Sequence, residues 1–296
     1  MTISTDRFRE LLRYEDMGVS LVSKSVEEQG DFVIEYLQLR IGEEEVRGLL
    51  TRPLAVAGRL PAILYGHSHG GGYAIGAREL LDGREYLLGP LGPVFARAGY
   101  VTLCIDMPIF GERATVSESA AAKALLWYGE SLFGEMLSDH GAALTYLAGR
   151  DDVDARRIGA FGISMGCVLS YWLAAIDERI AAVAHLCCLA DFRTMVALGA
   201  HDGHGIYLTV PGLLRETDGG QIAGMIAPRP QLICIGEADR LTPEVAVAKA
   251  LGEVRAAYAA TPEALDVVSE AGVGHEETAT MRAAVLEFFE RRLGQQ

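Results

Sequence analysis

The amino-acid sequence predicts an α/β fold, with a mostly parallel central sheet flanked by helices and antiparallel strands ahead of it. Three observations lead to this prediction. From Pro61 onwards, short apolar runs alternate with longer helix-like runs, the pattern of parallel strands joined by crossover helices. The preceding stretch, 19–53, contains strand-like runs with no helical pattern between them. Half of the residues are apolar, which is enough to bury a large core.

The individual elements follow from these runs in chain order. Residues 4–13 are predicted to form a helix, and Val19 to Pro53 two or three antiparallel strands, including 32–36 and 46–50. The strands of the parallel sheet are predicted at 61–65, 100–105, 157–161, 180–188, 230–235 and 264–269. The remaining helices are predicted at 84–98, 118–149, 166–176, 243–258 and 277–293.

One connection is too long for a plain loop. Residues 189–227 lie between two predicted core strands, and connections of that length are uncommon unless they have a function. We interpret this segment as a small lid insertion within a single domain that spans residues 1–296.

A serine stands at the junction of a predicted strand and a predicted helix. The segment Gly162-Ile163-Ser164-Met165-Gly166 matches G-x-S-x-G. Glycines on both sides of the serine permit a sharp turn that exposes it at the carboxyl end of the strand. The positive end of the following helix points at the place where negative charge would develop. The motif in this context predicts that Ser164 is a nucleophile.

A nucleophilic serine needs a base, and the base needs an acid that orients it. Asp239 follows the apolar run 231–236, and His275 follows the strand-like run 265–269. All three residues therefore come just after the carboxyl ends of predicted strands, which meet at one edge of a parallel sheet. The order Ser, Asp, His is that of α/β-hydrolases. We predict that Asp239 is the acid and His275 the base.

The loop after the first parallel strand is suited to stabilising an oxyanion. The segment Gly66-His67-Ser68-His69-Gly70-Gly71-Gly72 contains the H-G-G-G pattern of lipases and esterases. Consecutive glycines let backbone N–H groups approach a ligand closely. We predict one donor from Met165, the residue after the nucleophile, and a second from Gly70 or Gly71. If the strand ends two residues earlier, His67 would take that second place.

Several segments around these residues resemble a known superfamily. They are Asp-Val-Asp-Ala-Arg-Arg-Ile-Gly at 152–159, Ala-Pro-Arg-Pro at 227–230, and Gly-Tyr-Val at 99–101 leading into 106–113. They resemble the α/β-hydrolase branch that holds dienelactone-hydrolase-like proteins, acetyl-xylan-esterase-like proteins and the prolyl-oligopeptidase group. The resemblance covers roughly residues 45–293.

The resemblance implies an α/β-hydrolase that needs no metal or organic cofactor, with Ser164, Asp239 and His275 as nucleophile, acid and base. Two features depart from the usual pattern: Cys167 stands where many relatives have glycine, and the first loop has two histidines. Dienelactone hydrolases proper use a cysteine nucleophile, so the serine favours an esterase. An insertion at 189–227 should cover the serine, which favours short acyl or acetyl esters.

Charge and cysteine content narrow the partners and the compartment. The net charge is 26 − 40 = −14 with no basic tract, which disfavours nucleic acid or an anionic membrane as a partner. No apolar run reaches membrane-spanning length, and residues 1–7 lack the apolar region of a signal peptide. Five cysteines in mostly apolar runs indicate a reducing compartment, and we expect a cytoplasmic enzyme with a small-molecule ester substrate. The sequence leaves open whether the chain forms a homo-oligomer.

Two other functions compete with the esterase. A metallohydrolase would use the His67/His69 pair, because H-x-H is a metal-ligand spacing, although these histidines lie in a glycine-rich turn that the esterase already explains. A serine peptidase of the prolyl-oligopeptidase type would share the serine turn. Such enzymes usually carry a large N-terminal propeller, and about 60 residues precede the predicted core here.

Overall fold

The computed structural model describes residues 3–55 and 58–294, and at its centre is a sheet of nine strands. The strands are β1 (Val19–Gln29), β2 (Phe32–Ile41), β3 (Glu44–Pro53), β4 (Leu60–Gly66), β5 (Val101–Ile105), β6 (Val153–Ile163), β7 (Ile180–Leu186), β8 (Gln231–Gly236) and β9 (Leu265–Glu270). Their order across the sheet is β1-β2-β3-β5-β4-β6-β7-β8-β9. The reversal between β4 and β5 makes β4 a neighbour of β6, which brings the loops after these two strands together.

The N-terminal part of the sheet is antiparallel. Strands β1, β2 and β3 form a meander with Gly30 and Gly42 at its two turns, where both have positive φ. Strand β3 then pairs antiparallel with β5. The sequence predicted two or three strands here, and the structure contains three. Strand β1 is the edge of the sheet and is exposed along nearly its whole length.

The parallel part consists of β5, β4, β6, β7, β8 and β9. Each predicted strand is present, which confirms the α/β class with a mostly parallel sheet. Strand β6 is longer than the predicted 157–161, because it continues to Ile163 beside β4 and β7. Strand β7 ends at Leu186, earlier than predicted, because Cys187 has a φ of 55° that a strand cannot accommodate.

Helices cover both faces of the sheet. They are α1 (Thr5–Leu12), α2 (Glu79–Asp82), α3 (Leu91–Arg97), α4 (Glu118–Trp127), α5 (Leu132–Ala148), α6 (Met165–Ile176), α7 (Phe192–Leu198), α8 (Gly219–Gly224), α9 (Glu244–Ala257) and α10 (Ala279–Leu293). One core layer is formed with α1, α5, α6, α8 and α9, and the other with α2, α3 and α10. Within the described residues, no helix has both the length and the apolarity needed to cross a membrane.

Two predicted helices are wrong in their extent, and glycine explains both. Of the predicted helix 84–98, only α3 is helical, because Gly89 has positive φ and Pro90 is the N-cap from which the helix begins. The predicted helix 118–149 is divided into α4 and α5. Gly129 has a φ of 75° there, and the Ser131 side chain accepts a hydrogen bond from Gly134 N–H to begin the new helix.

The segment 189–227, hereafter the insertion, is ordered by its own contacts. It contains α7, α8 and three short 3₁₀ turns between β7 and β8. The buried Asp218 carboxylate accepts hydrogen bonds from Phe192 N–H at 2.6 Å and Arg193 N–H at 3.1 Å. These bonds join the end of the insertion to its beginning, and Tyr207, Val210 and Leu213 from its middle are buried in the core.

Residues 1 and 2 lie outside the described residues, and the prediction that residues 1–7 are not a signal peptide stays a prediction. The rest of that segment begins α1, whose N-cap Ser4 accepts a hydrogen bond from Arg7 N–H at 3.2 Å.

Candidate active site

Ser164 occupies a sharp turn between β6 and α6. Its backbone has φ 60° and ψ −119°, a conformation that costs a non-glycine residue free energy and is held only by its surroundings. A Cβ atom on Gly162 would overlap the Gly166 backbone, so glycine is required for the chain to turn this tightly. The turn leaves Ser164 half-buried at the carboxyl end of β6, where the sequence predicted it.

The loop after β4 packs directly against this turn. A Cβ atom on Gly166 would overlap the carbonyl oxygen of Gly66 and lie 3.2 Å from that of His67. A Cβ atom added to Gly66 would lie 3.0 Å from the Cα atom of Gly166. Glycine at 66, 162 and 166 therefore lets β4, β6 and the first turn of α6 approach within backbone contact. As a result, residues 66–73, hereafter the glycine loop, lie beside the serine turn.

Asp239 and His275 form a hydrogen-bonded pair beyond β8 and β9. The distance from His275 Nδ1 to Asp239 Oδ2 is 2.7 Å. Asp239 also accepts hydrogen bonds from Leu241 N–H at 2.8 Å and Thr242 Oγ1–H at 3.0 Å. Burial alone would raise the pKa of Asp239, but the His275 bond and these other donors together lower it. Asp239 is thus a carboxylate, and the His275 Nδ1–H donates to it.

The loops that carry these residues share one edge of the sheet. Ser164 N–H donates to Leu186 O of β7 at 3.0 Å, and Cys187 N–H donates to Cys234 O of β8 at 3.0 Å. Among the described residues, neither Ser164 Oγ nor His275 Nε2 makes a hydrogen bond, so both atoms are available. Catalytic hydrogen bonds often tighten only in the complex with substrate, so this geometry is compatible with a Ser–His contact.

The glycine loop has fewer free N–H groups than the sequence suggested. Gly71 N–H donates to His69 Nδ1 at 3.1 Å, so it already has a partner within the loop. This bond disfavours Gly71 as an oxyanion donor, whereas His67 stays a prediction. Gly70 N–H, which was predicted, has no partner among the described residues.

Two further N–H groups are available beside Ser164. Met165 is the first residue of α6, and the first N–H groups of a helix have no intrahelical acceptor. The backbone N–H of His69 also has no acceptor among the described residues. Sequence reasoning missed His69, because no local pattern shows in which direction its backbone N–H points.

A buried carboxylate, Glu79, binds the backbone of the glycine loop. It accepts hydrogen bonds from Ser68 N–H at 3.1 Å and from Tyr65 Oη–H at 2.9 Å, and it also contacts the Ser68 hydroxyl. Arg84 supplies the compensating positive charge, 3.4 Å from Glu79 and itself bonded to Gly70 O at 3.2 Å. The backbone of the loop is therefore held in one conformation, which an oxyanion site requires.

A second carboxylate, Glu118 of α4, joins the glycine loop to the insertion. Its Oε2 lies 2.8 Å from His69 Nε2 and 2.6 Å from Tyr73 Oη, and its Oε1 accepts from Tyr207 N–H at 2.9 Å. The Tyr207 ring stacks on the His69 ring with 4.9 Å between centroids. Burial alone would raise the pKa of Glu118, but the hydrogen bonds from His69, Tyr73 and Tyr207 together lower it to about 2.

We expect Glu118→Gln to lower the free energy of unfolding by about 1–3 kcal/mol at neutral pH, because the buried carboxylate is a charged acceptor shared by His69, Tyr73 and Tyr207. Since folding lowers the pKa of Glu118 from 4.5 to about 2, its contribution is complete above pH 4.5 and is lost as the pH falls towards 2. Urea unfolding at several pH values measures this. The exposed Glu112→Gln is the control, with an expected change below about 0.5 kcal/mol. Equal stability of wild type and Glu118→Gln at pH 7 would contradict the expectation.

The His67/His69 pair is not arranged to bind a metal. His67 Nε2 accepts from Met107 N–H at 3.2 Å, and its Nδ1 donates to Ser68 O at 3.0 Å. His69 uses one ring nitrogen for Glu118 and the other for Gly71 N–H. Within the part of the chain that the structure describes, no group of three or more His, Cys, Asp or Glu side chains is placed to hold a metal ion. The geometry of these rings therefore disfavours the metallohydrolase.

Cys167, the departure noted in the sequence, has a structural explanation. It is buried in the first turn of α6, where its thiol lies 3.3 Å from His185 Nδ1. His185 is also buried and bonds Gln231 through Nε2 at 2.8 Å, and burial lowers its pKa to about 3. Both residues belong to the packing beneath the serine turn.

A serine at a strand-to-helix turn, followed along the chain by an acid and then a histidine, distinguishes α/β-hydrolases from other serine hydrolases. Together with the sheet described above, this order defines the protein as an α/β-hydrolase.

Comparison with known proteins agrees with this class. Residues 91–188 match the model of the dienelactone hydrolase family. YtaP of Bacillus subtilis (strain 168), provisionally classed as a hydrolase, is 36% identical over 279 residues, which cover 93% of each chain. The chain therefore belongs to the dienelactone hydrolase family.

Solved structures with similar folds have low sequence identity to this chain, so they bear on the fold alone. A protein from Bacteroides fragilis, provisionally called an acetyl xylan esterase, has a TM-score of 0.73 at 18% identity, covering 90% of this chain and 73% of that one. Acetyl xylan esterase 1 of a Thermoanaerobacterium species gives 0.67 at 18%, with 97% and 92% covered. A glucuronoyl esterase from Solibacter usitatus gives 0.69 at 15%, with 98% and 92% covered.

These findings confirm the α/β-hydrolase fold and the family resemblance inferred from the sequence. A dienelactone is a cyclic carboxylic ester, so the family places the protein among the carboxylic ester hydrolases.

Proposed function

We propose that the protein is a serine esterase in which Ser164 is the nucleophile, His275 the general base and Asp239 the acid that orients it. The observation that carries the proposal is the 2.7 Å bond between His275 Nδ1 and Asp239 Oδ2, which leaves Nε2 as the basic nitrogen. The strained backbone of Ser164 at the neighbouring strand end supports the assignment of the nucleophile.

The proposed reaction has two acyl-transfer steps. His275 Nε2 takes the Ser164 proton as Oγ attacks the ester carbonyl, and the imidazolium is stabilised by Asp239. His275 then gives that proton to the departing alcohol oxygen as the C–O bond breaks, which leaves an acyl group on Ser164. Water, deprotonated by His275, attacks this acyl group, and the acid is released with the proton returned to Ser164.

The oxyanion of each tetrahedral intermediate would be stabilised by backbone N–H groups. We assign one to Met165 at the start of α6, where the helix dipole adds a favourable field. The second comes from the glycine loop, at Gly70 or His69, since these N–H groups have no other acceptor among the described residues. Burial of Glu79 and its bonds to Ser68 support a rigid, preorganised loop.

Short acyl groups, such as acetyl, are the proposed acid part of the substrate. The insertion places Tyr207 against His69, and Phe110 packs against both His69 and Tyr73 at 5.1 and 5.3 Å between ring centroids. This aromatic cluster borders the glycine loop, so it would limit the space beside the oxyanion. The acetyl xylan esterases among the structural neighbours are consistent with that preference.

We expect kcat/KM to fall along a series of p-nitrophenyl esters from acetyl to decanoyl. Each methylene that cannot be accommodated costs about 1–3 kcal/mol, so the loss should reach tenfold or more within a few carbons. Steady-state kinetics measure the series, and a peptide p-nitroanilide tests the peptidase alternative in the same assay. A profile that rises towards decanoyl would exclude a short acyl pocket, and faster anilide hydrolysis would favour a peptidase.

The cytoplasm is the proposed location, and a small ester the proposed partner. All five cysteines are free and buried among the described residues, which supports a protein that folds without disulfides.

A further inference from the structure

The insertion encloses a cavity of about 500 Å³ that the proposed mechanism does not use. Its walls are mostly apolar, and its volume lies within the range of small-molecule sites. The apolar lining includes Trp172, Phe192, Met195, Leu208, Val210 and Leu213. Trp172 comes from α6, the helix that begins directly after Ser164, so the cavity lies between the insertion and that helix.

The wall formed by α6 is rigid. Trp172 is fully buried, and its ring makes edge-to-face contacts with Phe133 at 4.9 Å and Phe8 at 5.4 Å between centroids. The opposite side is lined by residues of the insertion, where Thr209 is exposed at the mouth. A cavity with a rigid apolar wall and an open mouth suits a hydrocarbon group that enters from solvent.

One edge of the cavity is connected to Asp239. His204 lines the cavity, and its Nε2–H donates to Leu241 O at 2.8 Å. Leu241 N–H in turn donates to Asp239 Oδ1 at 2.8 Å. Burial lowers the pKa of His204, and the nearby His275 lowers it further, which agrees with a position close to the base. The rim of the cavity is therefore joined through Leu241 to the Asp239–His275 pair.

This link to the Asp239–His275 pair indicates which part of an ester would occupy the cavity. His275 must give its proton to the departing alcohol oxygen, so that oxygen lies next to Nε2 in the transition state. The acyl group, by contrast, lies beside the N–H groups that hold the oxyanion. A subsite on the histidine side is therefore suited to the alcohol.

We propose that this cavity binds the hydrocarbon part of the alcohol, so that the enzyme prefers esters of short acids with apolar alcohols several carbons long. The proposal rests on the proposed esterase function. The lining is mostly apolar, and its polar side chains are exposed or half-buried: His201, Asp202, His204 and Thr209. The cavity therefore favours alkyl groups over sugars.

The kinetic test uses alkyl acetates from methyl to hexyl, which vary the alcohol at a constant acyl group. We expect kcat/KM to rise at least about tenfold along this series, since each buried methylene strengthens transition-state binding. Methyl esters of acids of rising length vary the other side and should show no such rise. A flat or falling alcohol series would overturn the proposal even if acetate esters are hydrolysed.

Variants at the mouth of the cavity test whether the dependence of kcat/KM on alcohol length arises there. Thr209→Phe should narrow the cavity without disturbing the core, because Thr209 is exposed, and Thr209→Ser is the matched control. We expect Thr209→Phe to lower the hexyl-to-methyl ratio of kcat/KM about tenfold, whereas Thr209→Ser keeps the ratio of the wild type. An unchanged ratio in Thr209→Phe would place the alcohol elsewhere.

A binding measurement separates this proposal from the esterase itself. The chain has two tryptophans, of which Trp127 is 88% exposed and Trp172 is buried in the cavity wall. In a Trp127→Phe, Ser164→Ala protein, bromohexanol should quench Trp172 fluorescence saturably, whereas bromoethanol should quench much less at equal concentration. Saturable quenching without any ester hydrolysis in the Trp127→Phe parent would support the cavity and refute the esterase. Hydrolysis in that parent without saturable quenching would refute the cavity.

Discussion

Ser164→Ala is expected to abolish ester hydrolysis, with kcat reduced on the order of 10⁶-fold, as for the loss of other triad nucleophiles. The physical reason is that no other group at the turn can form the acyl-enzyme, while the helix start and glycine loop remain in place. Folding should be preserved, because Ser164 Oγ makes no hydrogen bond among the described residues. Steady-state kinetics with an acetate ester and a thermal unfolding curve check both parts.

Ser170→Ala is the matched control for this variant. Ser170 is buried in the same helix, where its hydroxyl donates to Gly166 O at 2.7 Å, so the change removes a similar group close by. We expect it to keep ester hydrolysis while losing about 1 kcal/mol of stability. A serine-reactive fluorophosphonate should label wild type and Ser170→Ala but not Ser164→Ala. Retention of a tenth of the activity in Ser164→Ala would show that another residue is the nucleophile.

Asp239→Asn is expected to lower kcat on the order of 10⁴-fold. The carboxylate accepts the His275 Nδ1–H at 2.7 Å, which leaves Nε2 as the base. An asparagine would instead donate its amide to Nδ1, so the proton would move to Nε2 and the base would be lost. Rates with an acetate ester, measured across neutral pH, check the expectation.

Thr242→Val is the control, because it removes one donor to Asp239 but keeps the carboxylate and its bond to His275. The loss of a single neutral hydrogen bond is worth about 1 kcal/mol, so we expect at most about a tenfold change in kcat. If Asp239→Asn also stayed within tenfold of the wild type, Asp239 could not be the acid, and another carboxylate would have to orient His275.

Local patterns in the sequence predicted the fold well. The alternation of strand and helix from Pro61 onwards is confirmed, because the face of each element that packs on the sheet is apolar at a spacing that the sequence reveals. Helix ends were predicted less well, and 118–149 is divided at Gly129. A single glycine is tolerated in many helices, so its effect depends on neighbours that periodicity does not describe.

The candidate site, like the fold, was predicted only in part from the sequence. The small residues around Ser164 and the order of Ser164, Asp239 and His275 are local or ordinal features, so they could be read directly. The glycine loop was harder. Its glycines indicated a close backbone approach, but Gly71 N–H is used within the loop by His69, which no spacing rule predicts.

By itself, the sequence determined the α/β class, the glycine turn around Ser164 and the strand ends that carry Asp239 and His275. Tertiary structure alone decided which N–H groups of the glycine loop are free and how the insertion meets that loop. The reason is that these properties depend on contacts between distant positions. Glu118 bonds His69 across 49 residues and Tyr207 across 89, and neither partner has a local pattern that would indicate the other.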